Sequence, residues 1–362
     1  MLSTNYIWNT NILSQMNIRE RVISQIKEKK SIDVSEFINI CLNSNHGYYS
    51  NKNPIGKQKD FITAPEISQM FGEILGSYII NYWEENIGGV FNLIELGPGK
   101  GTLINDILKV GNLNKKFIKL MNLTLIEKNY QLIDLQKSLI KNQNTYKPNW
   151  INDFHINNKY PSIIFSNEFF DCFPIKQFYK KEKWIEKYIE YNSVEDIFYF
   201  ENKSTKDSYL INKLKKFNNY NVAEISLSRE KYFNKICQFI KKNKGIIITI
   251  DYGYLEPINH FSLQTIYRHK KSHLFDNLGN QDITAFVDFG ELINIAKENN
   301  LTIDTYCSQK DFLLINGLEP RKINLQRNKD NTMRQKLEED FKRLTESSQM
   351  GEDFKVLIVS CL

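Results

Sequence analysis

Cysteine is scarce here, odd in number and widely spaced. Cys41, Cys172, Cys237, Cys307 and Cys361 lie far apart in a 362-residue chain with no C-x-x-C, which argues against a disulfide framework or a zinc site and fits a reducing compartment. The histidines show no metal-ligand spacing either, so no metal is expected. No apolar run approaches the roughly 20 residues of a membrane span. The first 18 residues carry no acid or base, so they offer neither the basic start of a signal peptide nor the arginines of a transit peptide. A bacterial-type cytoplasm is the simplest location, with the mitochondrial matrix the alternative for a eukaryotic source. The formal charge of +6 is spread over a chain rich in Lys, Asn and Ile. With no dense basic block and no interleaved aromatic pattern, a nucleic-acid partner is not expected.

Two nucleotide signatures are missing as well. The glycines after the apolar stretch Asn92–Leu96 run Gly97-Pro98-Gly99-Lys100-Gly101-Thr102. They match neither the G-x-G-x-x-G of a dinucleotide fold nor the G-x-x-x-x-G-K-[S/T] of a phosphate loop. What is present is E-x-G-x-G-x-G, starting at Glu95: an acid and three alternating glycines at a strand end. This form suits a turn bending around the amino-acid end of S-adenosylmethionine (SAM), and a ligand-free strand-to-helix turn would use the same residues.

Later strand ends extend the pattern. A run at Leu123–Ile126 ends in Glu127, placed to accept ribose hydroxyls, and one at Trp150–Ile151 ends in Asp153, placed for an adenine amino group. Runs at Ser162–Ser166 and Gly245–Ile250 open into Asn167-Glu168-Phe169-Phe170-Asp171 and Asp251-Tyr252-Gly253. Asn167 is a candidate for the methionine part of SAM. Strands ending one after another in polar residues gather them along one edge of a parallel sheet, where open α/β folds bind ligands.

A hydrophobic content of 41% supports an ordinary core. The expected organisation is a disordered tail over 1–17, a helical region over 18–90 and an α/β domain over 91–362 interrupted at about 175–226 and 254–290. The first interruption reads as a β-hairpin before a helix at Leu227–Asn243. Phe354–Cys361 reads as the strand that completes the sheet. Thr63-Ala64-Pro65-Glu66 suits a helix start capped by Thr63 or a neighbour.

Together these residues resemble the MidA-type family of SAM-dependent methyltransferases. The resemblance is carried by His46-Gly47-Tyr48-Tyr49, Asp60-Phe61-Ile62-Thr63-Ala64-Pro65-Glu66-Ile67, the glycine turn, Asn167-Glu168-Phe169-Phe170-Asp171, Asp251-Tyr252-Gly253, Asp282-Ile283-Thr284 with Val287-Asp288-Phe289, and Met350-Gly351 with Phe354-Lys355-Val356-Leu357. It implies a class I methyltransferase fold, a Rossmann-like α/β seven-stranded sheet with a helical N-terminal region and inserted hairpin and loop elements. It also implies SAM as cofactor and arginine of a protein as acceptor, in a core subunit of the respiratory complex I peripheral arm.

A guanidinium is planar and cationic with a pKa above about 12, and a carboxylate pair can grip its fork and take a proton late. Glu168 and Asp171 are the candidate catalytic pair, although Asp171 could instead cap a helix. Glu95, Gly97, Pro98, Gly99, Gly101, Glu127, Asp153 and Asn167 are the candidate cofactor residues. Asp251, Asp282, Thr63 and Glu66 are candidates for holding substrate. A catalytically silent assembly chaperone with the same fold, a small-molecule methyltransferase and an oligomer stay open.

Overall fold

The computed structural model describes residues 16–51, 63–140 and 146–362. Most of the expected tail, and Asp60-Phe61-Ile62 of the second motif, lie outside them. Asn17, assigned to that tail, instead starts the fold. Its side chain accepts from the Glu20 amide at 2.9 Å while Glu20 Oε2 accepts from the Asn17 amide at 2.9 Å, a reciprocal cap on the helix Ile18–Lys29.

Seven strands make the central sheet: β1 Phe91–Leu96, β2 Met121–Ile126, β3 Asn149–Ile151, β4 Ser162–Asn167, β5 Gly245–Tyr254, β6 Thr302–Ser308 and β7 Phe354–Cys361. Their order is β6-β7-β5-β4-β1-β2-β3, and β7 runs antiparallel between β5 and β6. The remaining neighbours are parallel. The two-residue strand Val287–Asp288 adds an eighth member beside the end of β5. The reversal of order between β1 and β4 makes the ligand crevice of an open α/β sheet.

Both faces of the sheet are covered, as its apolar strands require. Ile163 and Phe165 join one core with the helices Gln69–Asn86 and Thr102–Gly111. Ile164 points the other way, into a core with Leu227–Asn243 and Phe289–Glu298.

The interruption after β4 forms an antiparallel sheet of Lys176–Lys180, Trp184–Asn192, Ile197–Ser204 and Val222–Ile225. A strand from the N-terminal region, Ile32–Asp33, completes it by pairing with Ile189 and Tyr188. The expected helical region is therefore divided. Helices Ile18–Lys29 and Val34–Asn43 share a core with this inserted sheet, whereas Gln69–Asn86 packs on the central one. The second interruption holds a three-stranded sheet, Gln264–Tyr267, Lys270–Lys271 and Asp282–Thr284. Among the described residues no helix is long and apolar enough to cross a membrane.

Candidate active site

The glycine turn closes directly off β1. Gly97, Gly99 and Gly101 have φ of +63°, +56° and +84°, the left-handed region that disfavours a side chain. Space enforces the same choice at Gly97, where a Cβ would lie 2.7 Å from Phe169 Cδ2. Gly101 occupies the cap position of the helix Thr102–Gly111, so the first amides of that helix face the turn.

Glu95, Gly97, Pro98, Gly99, Asn167 and Glu168 line one cleft with Thr63, Pro65, Glu66, Lys100, Thr102 and Leu103, and the cleft opens to solvent. Glu95 is 2% exposed and its Oε2 has no hydrogen-bond partner. Burial first and the Glu127 charge second push its pKa well above the usual carboxylate range. Asn167 Oδ1 is likewise buried without a donor, while its amide donates to Glu168 Oε1 at 3.0 Å. Two orphaned acceptors beside a glycine turn are what a ligand rich in N–H and O–H donors would satisfy. Glu127 accepts from the Asn129 amide at 2.8 Å, and burial raises its pKa to about 6.

Asp153 behaves differently from these. It is 39% exposed at the side chain and holds Lys235 at 3.2 Å and His155 Nδ1 at 3.3 Å.

Thr63 stands at the cap position of the short helix Ala64–Ile67, but its side chain makes no capping bond, contrary to the capping expected of it. Glu66, expected at the substrate, lines the cleft and also binds the turn. Its carboxylate takes Lys100 Nζ at 3.0 Å and the Thr102 hydroxyl, clamping the N-terminal region onto the glycine turn.

The four remaining carboxylates divide into one at the cleft and three behind it. Glu168 has φ +50°, strained for a residue with a side chain. Its amide bonds Ile250 O at 2.9 Å and its Oε1 accepts from the Ala64 amide at 3.3 Å. Burial and then the Asp171 charge raise its pKa to about 8.

Asp171, expected as its equal partner, does not line the cleft. It is 6% exposed, and its Oδ2 accepts from the Tyr252 hydroxyl at 2.6 Å. Nor does it cap a helix, since the chain turns from it into the strand Lys176–Lys180.

Asp251, expected on a loop over the substrate, is a fully buried member of β5. The strand overruns its parallel neighbour because β7 keeps pairing through Asp251–Lys355 and Tyr252–Phe354. Its Oδ2 accepts from the amides of Phe169, Phe170 and Asp171 at 3.1, 2.9 and 3.3 Å, and its Oδ1 from that of Tyr252 at 3.0 Å. Asp251 thus holds the Glu168 loop in shape. Asp282 is also buried, bonded through Oδ1 to the Tyr49 hydroxyl at 2.8 Å and the Ile283 amide at 2.9 Å. The buried Arg229, which sequence reasoning did not single out, threads its guanidinium into the carbonyls of Phe170, Phe286 and Ala285 at 2.8, 3.0 and 3.4 Å, supplying a positive charge beside Asp171 and Asp251. Among the described residues no group of His, Cys, Asp and Glu is arranged to hold a metal ion.

Residues 74–307, more than half of the chain, match the family described as "Putative S-adenosyl-L-methionine-dependent methyltransferase". The chain belongs to this family. Among curated proteins it is similar to protein arginine methyltransferase NDUFAF7, mitochondrial, of Bos taurus, at 28% identity covering 93% of this chain and 81% of that one. It is similar too to the Caenorhabditis elegans homologue, at 29% over 94% and 85%, and to the human protein, at 27% over 91% and 80%. A Burkholderia thailandensis protein crystallised with S-adenosyl-homocysteine has the same fold, with a TM-score of 0.83, 20% identity and coverage of 95% and 92%. A native structure of a protein from that organism gives 0.82 at 20% identity over 95% and 91%. The orphaned acceptors make this cleft the candidate cofactor site of such a methyltransferase.

Proposed function

We propose that this methyltransferase acts on an arginine side chain of a protein, and that Glu168 is the residue that meets it. The observation that carries this reading is the position of Glu168: a carboxyl fixed at positive φ on the wall of the cofactor cleft, beside Asn167 and Glu95. The relatives named protein arginine methyltransferase support it.

Bound SAM supplies a methyl group on a positively charged sulfur, which departs as a neutral thioether as the new N–C bond forms. The residues proposed to hold it are Glu95, Gly97, Pro98, Gly99, Gly101, Glu127 and Asn167, with Asp153 at the periphery where it already engages Lys235. The enzyme's remaining task is alignment and exclusion of water. Glu168 would accept two N–H bonds from the guanidinium fork and then the proton released once the nitrogen is methylated. With a pKa of about 8, the carboxyl becomes ionised, and so able to grip and take a proton, as pH rises through about 8. Asp171 acts through Glu168: its charge raises the Glu168 pKa, and its backbone amide is pinned by Asp251. Asp251 and Asp282 shape the pocket from behind. Thr63 and Glu66 border the cofactor end of the cleft.

The acceptor we infer is a subunit of the complex I peripheral arm. The word mitochondrial in the relatives' names favours the matrix over the bacterial cytoplasm. The test is tandem mass spectrometry of the host proteome with the gene deleted and then restored. Loss of a methylarginine that the wild-type gene restores and Glu168→Gln does not is the expected result. An unchanged methylarginine inventory would overturn the arginine reading, and an acceptor outside complex I would overturn only the subunit. Cell fractionation that finds the protein outside the matrix would refute the location.

A further inference from the structure

The helix Tyr130–Leu139 follows the Glu127 tip and buries Leu132 and Gln136, four residues apart on one face. A glutamine with no exposed surface in a helix must find partners for its amide. Gln136 Nε2 donates to Gly99 O at 2.7 Å and reaches Glu127 Oε2 at 3.4 Å, while its Oε1 accepts from Trp150 Nε1 at 2.8 Å. Its stem fills the space beside the third glycine of the turn, where a Cβ on Gly101 would come within 3.1 Å of Gln136 Cγ. One side chain thus touches the glycine turn after β1, the acid after β2 and the indole of β3.

We infer that Gln136 is a positioning residue for the cofactor, which locks the glycine turn and the Glu127 carboxylate into one rigid unit. Without it, Gly99 O and the Trp150 indole lose their shared partner, and the turn and the acid can move independently. The ligand then has to order both. Gln136 does its work through Glu127 and the turn. The inference rests on the SAM-binding reading of the cleft and is independent of the acceptor.

The test is calorimetric titration of S-adenosylhomocysteine into the full chain, the Gln136→Met and Glu127→Gln variants, and the double variant. Losing a buried amide that leaves its partners unpaired weakens affinity by about 10- to 100-fold. The double variant should bind about as weakly as the weaker single one, because both changes break the same unit. A Gln136→Met affinity within about twofold of wild type, or losses that simply multiply, would overturn the inference. Trp150→Phe removes only the indole donor and keeps the test sharp if Gln136→Met does not fold. It should weaken binding by about 3- to 10-fold, and an unchanged affinity counts against the proposal. No binding by the unaltered chain would overturn the cofactor reading and this inference with it. Normal wild-type binding with a normal Gln136→Met would overturn the inference alone.

Discussion

The two sides of the strand-tip crevice treat their oxygens in opposite ways. Around the glycine turn, Glu95 Oε2 and Asn167 Oδ1 are buried with no donor. Farther along the edge, Asp251, Asp171 and Asp282 have donors in backbone amides and tyrosine hydroxyls. A buried acceptor left unfilled costs about 1–3 kcal/mol, a cost that binding of a ligand removes. A filled one holds a loop. An acid at a strand tip whose oxygen is buried and unfilled is thereby marked for a ligand, and an acid whose oxygens are all filled by the protein's own loops is marked for structure; by that criterion Glu95 and Asp251 have different tasks.

The largest effect should follow from closing the unfilled side. Gly97→Val puts a branched side chain at φ +63° and onto Phe169, where even a Cβ comes within 2.7 Å. S-adenosylhomocysteine binding should fall below detection in calorimetry while the far-ultraviolet circular dichroism spectrum stays unchanged. Retained binding would break the comparison at its root.

Next in size is Glu168→Gln, which keeps shape and removes charge. Turnover should drop about 10²- to 10⁴-fold with cofactor affinity nearly unaltered, and equal loss of both would move Glu168 to the cofactor side. The same residue sets a pH profile. With a folded pKa of about 8 against an ordinary 4.5, Glu168 stays protonated up to near pH 8 in the free protein. Its gripping carboxylate therefore forms as pH rises through about 8, and kcat/KM for the acceptor should climb there and flatten in Glu168→Gln. For stability the sign reverses. The folded chain binds a proton that the unfolded chain releases, so the contribution is complete below about pH 4.5 and fades as pH rises through about 8. Denaturant melts of wild type and Glu168→Gln across that window would reveal it.

On the filled side the expected loss is of stability. Asp251→Asn turns an amide N–H₂ toward at least one backbone amide that now donates to a carboxylate oxygen, and should cost about 2–4 kcal/mol in urea unfolding. A variant as stable as wild type but poor in acceptor binding would restore Asp251 as a substrate contact.

These contrasts were unevenly legible in the sequence. Glu95 and the glycines announce themselves because a strand end, an acid and an alternating turn are local, and a parallel α/β sheet follows from the strand and helix rhythm after Phe91, its class I order being implied by the family resemblance. Asp251 was misplaced because β5 is prolonged by β7, about a hundred residues downstream, and nothing near Ile250 signals that pairing. The partners of Glu66 are 34 and 36 residues away, so locally it reads as a first-turn acid of a helix. Gln136 is hidden for a similar reason: one polar residue on an amphipathic helix looks like surface until the glycine turn folds against it. Ile32–Asp33 is too short to show strand alternation, and only the inserted sheet makes it a strand.

The smallest effect should come from Asp153, and it tests the comparison because this acid fits neither side. Its carboxylate is not orphaned, and although the Phe154 amide donates to it, it stays open to solvent. It is 39% exposed and shared between Lys235 and His155. An exposed ion pair is worth only about 0–1 kcal/mol, so Asp153→Asn should leave folding untouched. If Asp153 receives an adenine amino group, that bond competes with solvent and Lys235, and Asp153→Asn, which keeps one acceptor oxygen, should weaken S-adenosylhomocysteine binding by less than about fivefold. Lys235→Ala frees the carboxylate from its pair and should leave affinity equal or slightly better. A loss as large as that of Gly97→Val at Asp153 would show that an oxygen already in partnership can still carry the ligand, and commitment of donors would then no longer separate binding acids from structural ones in this cleft.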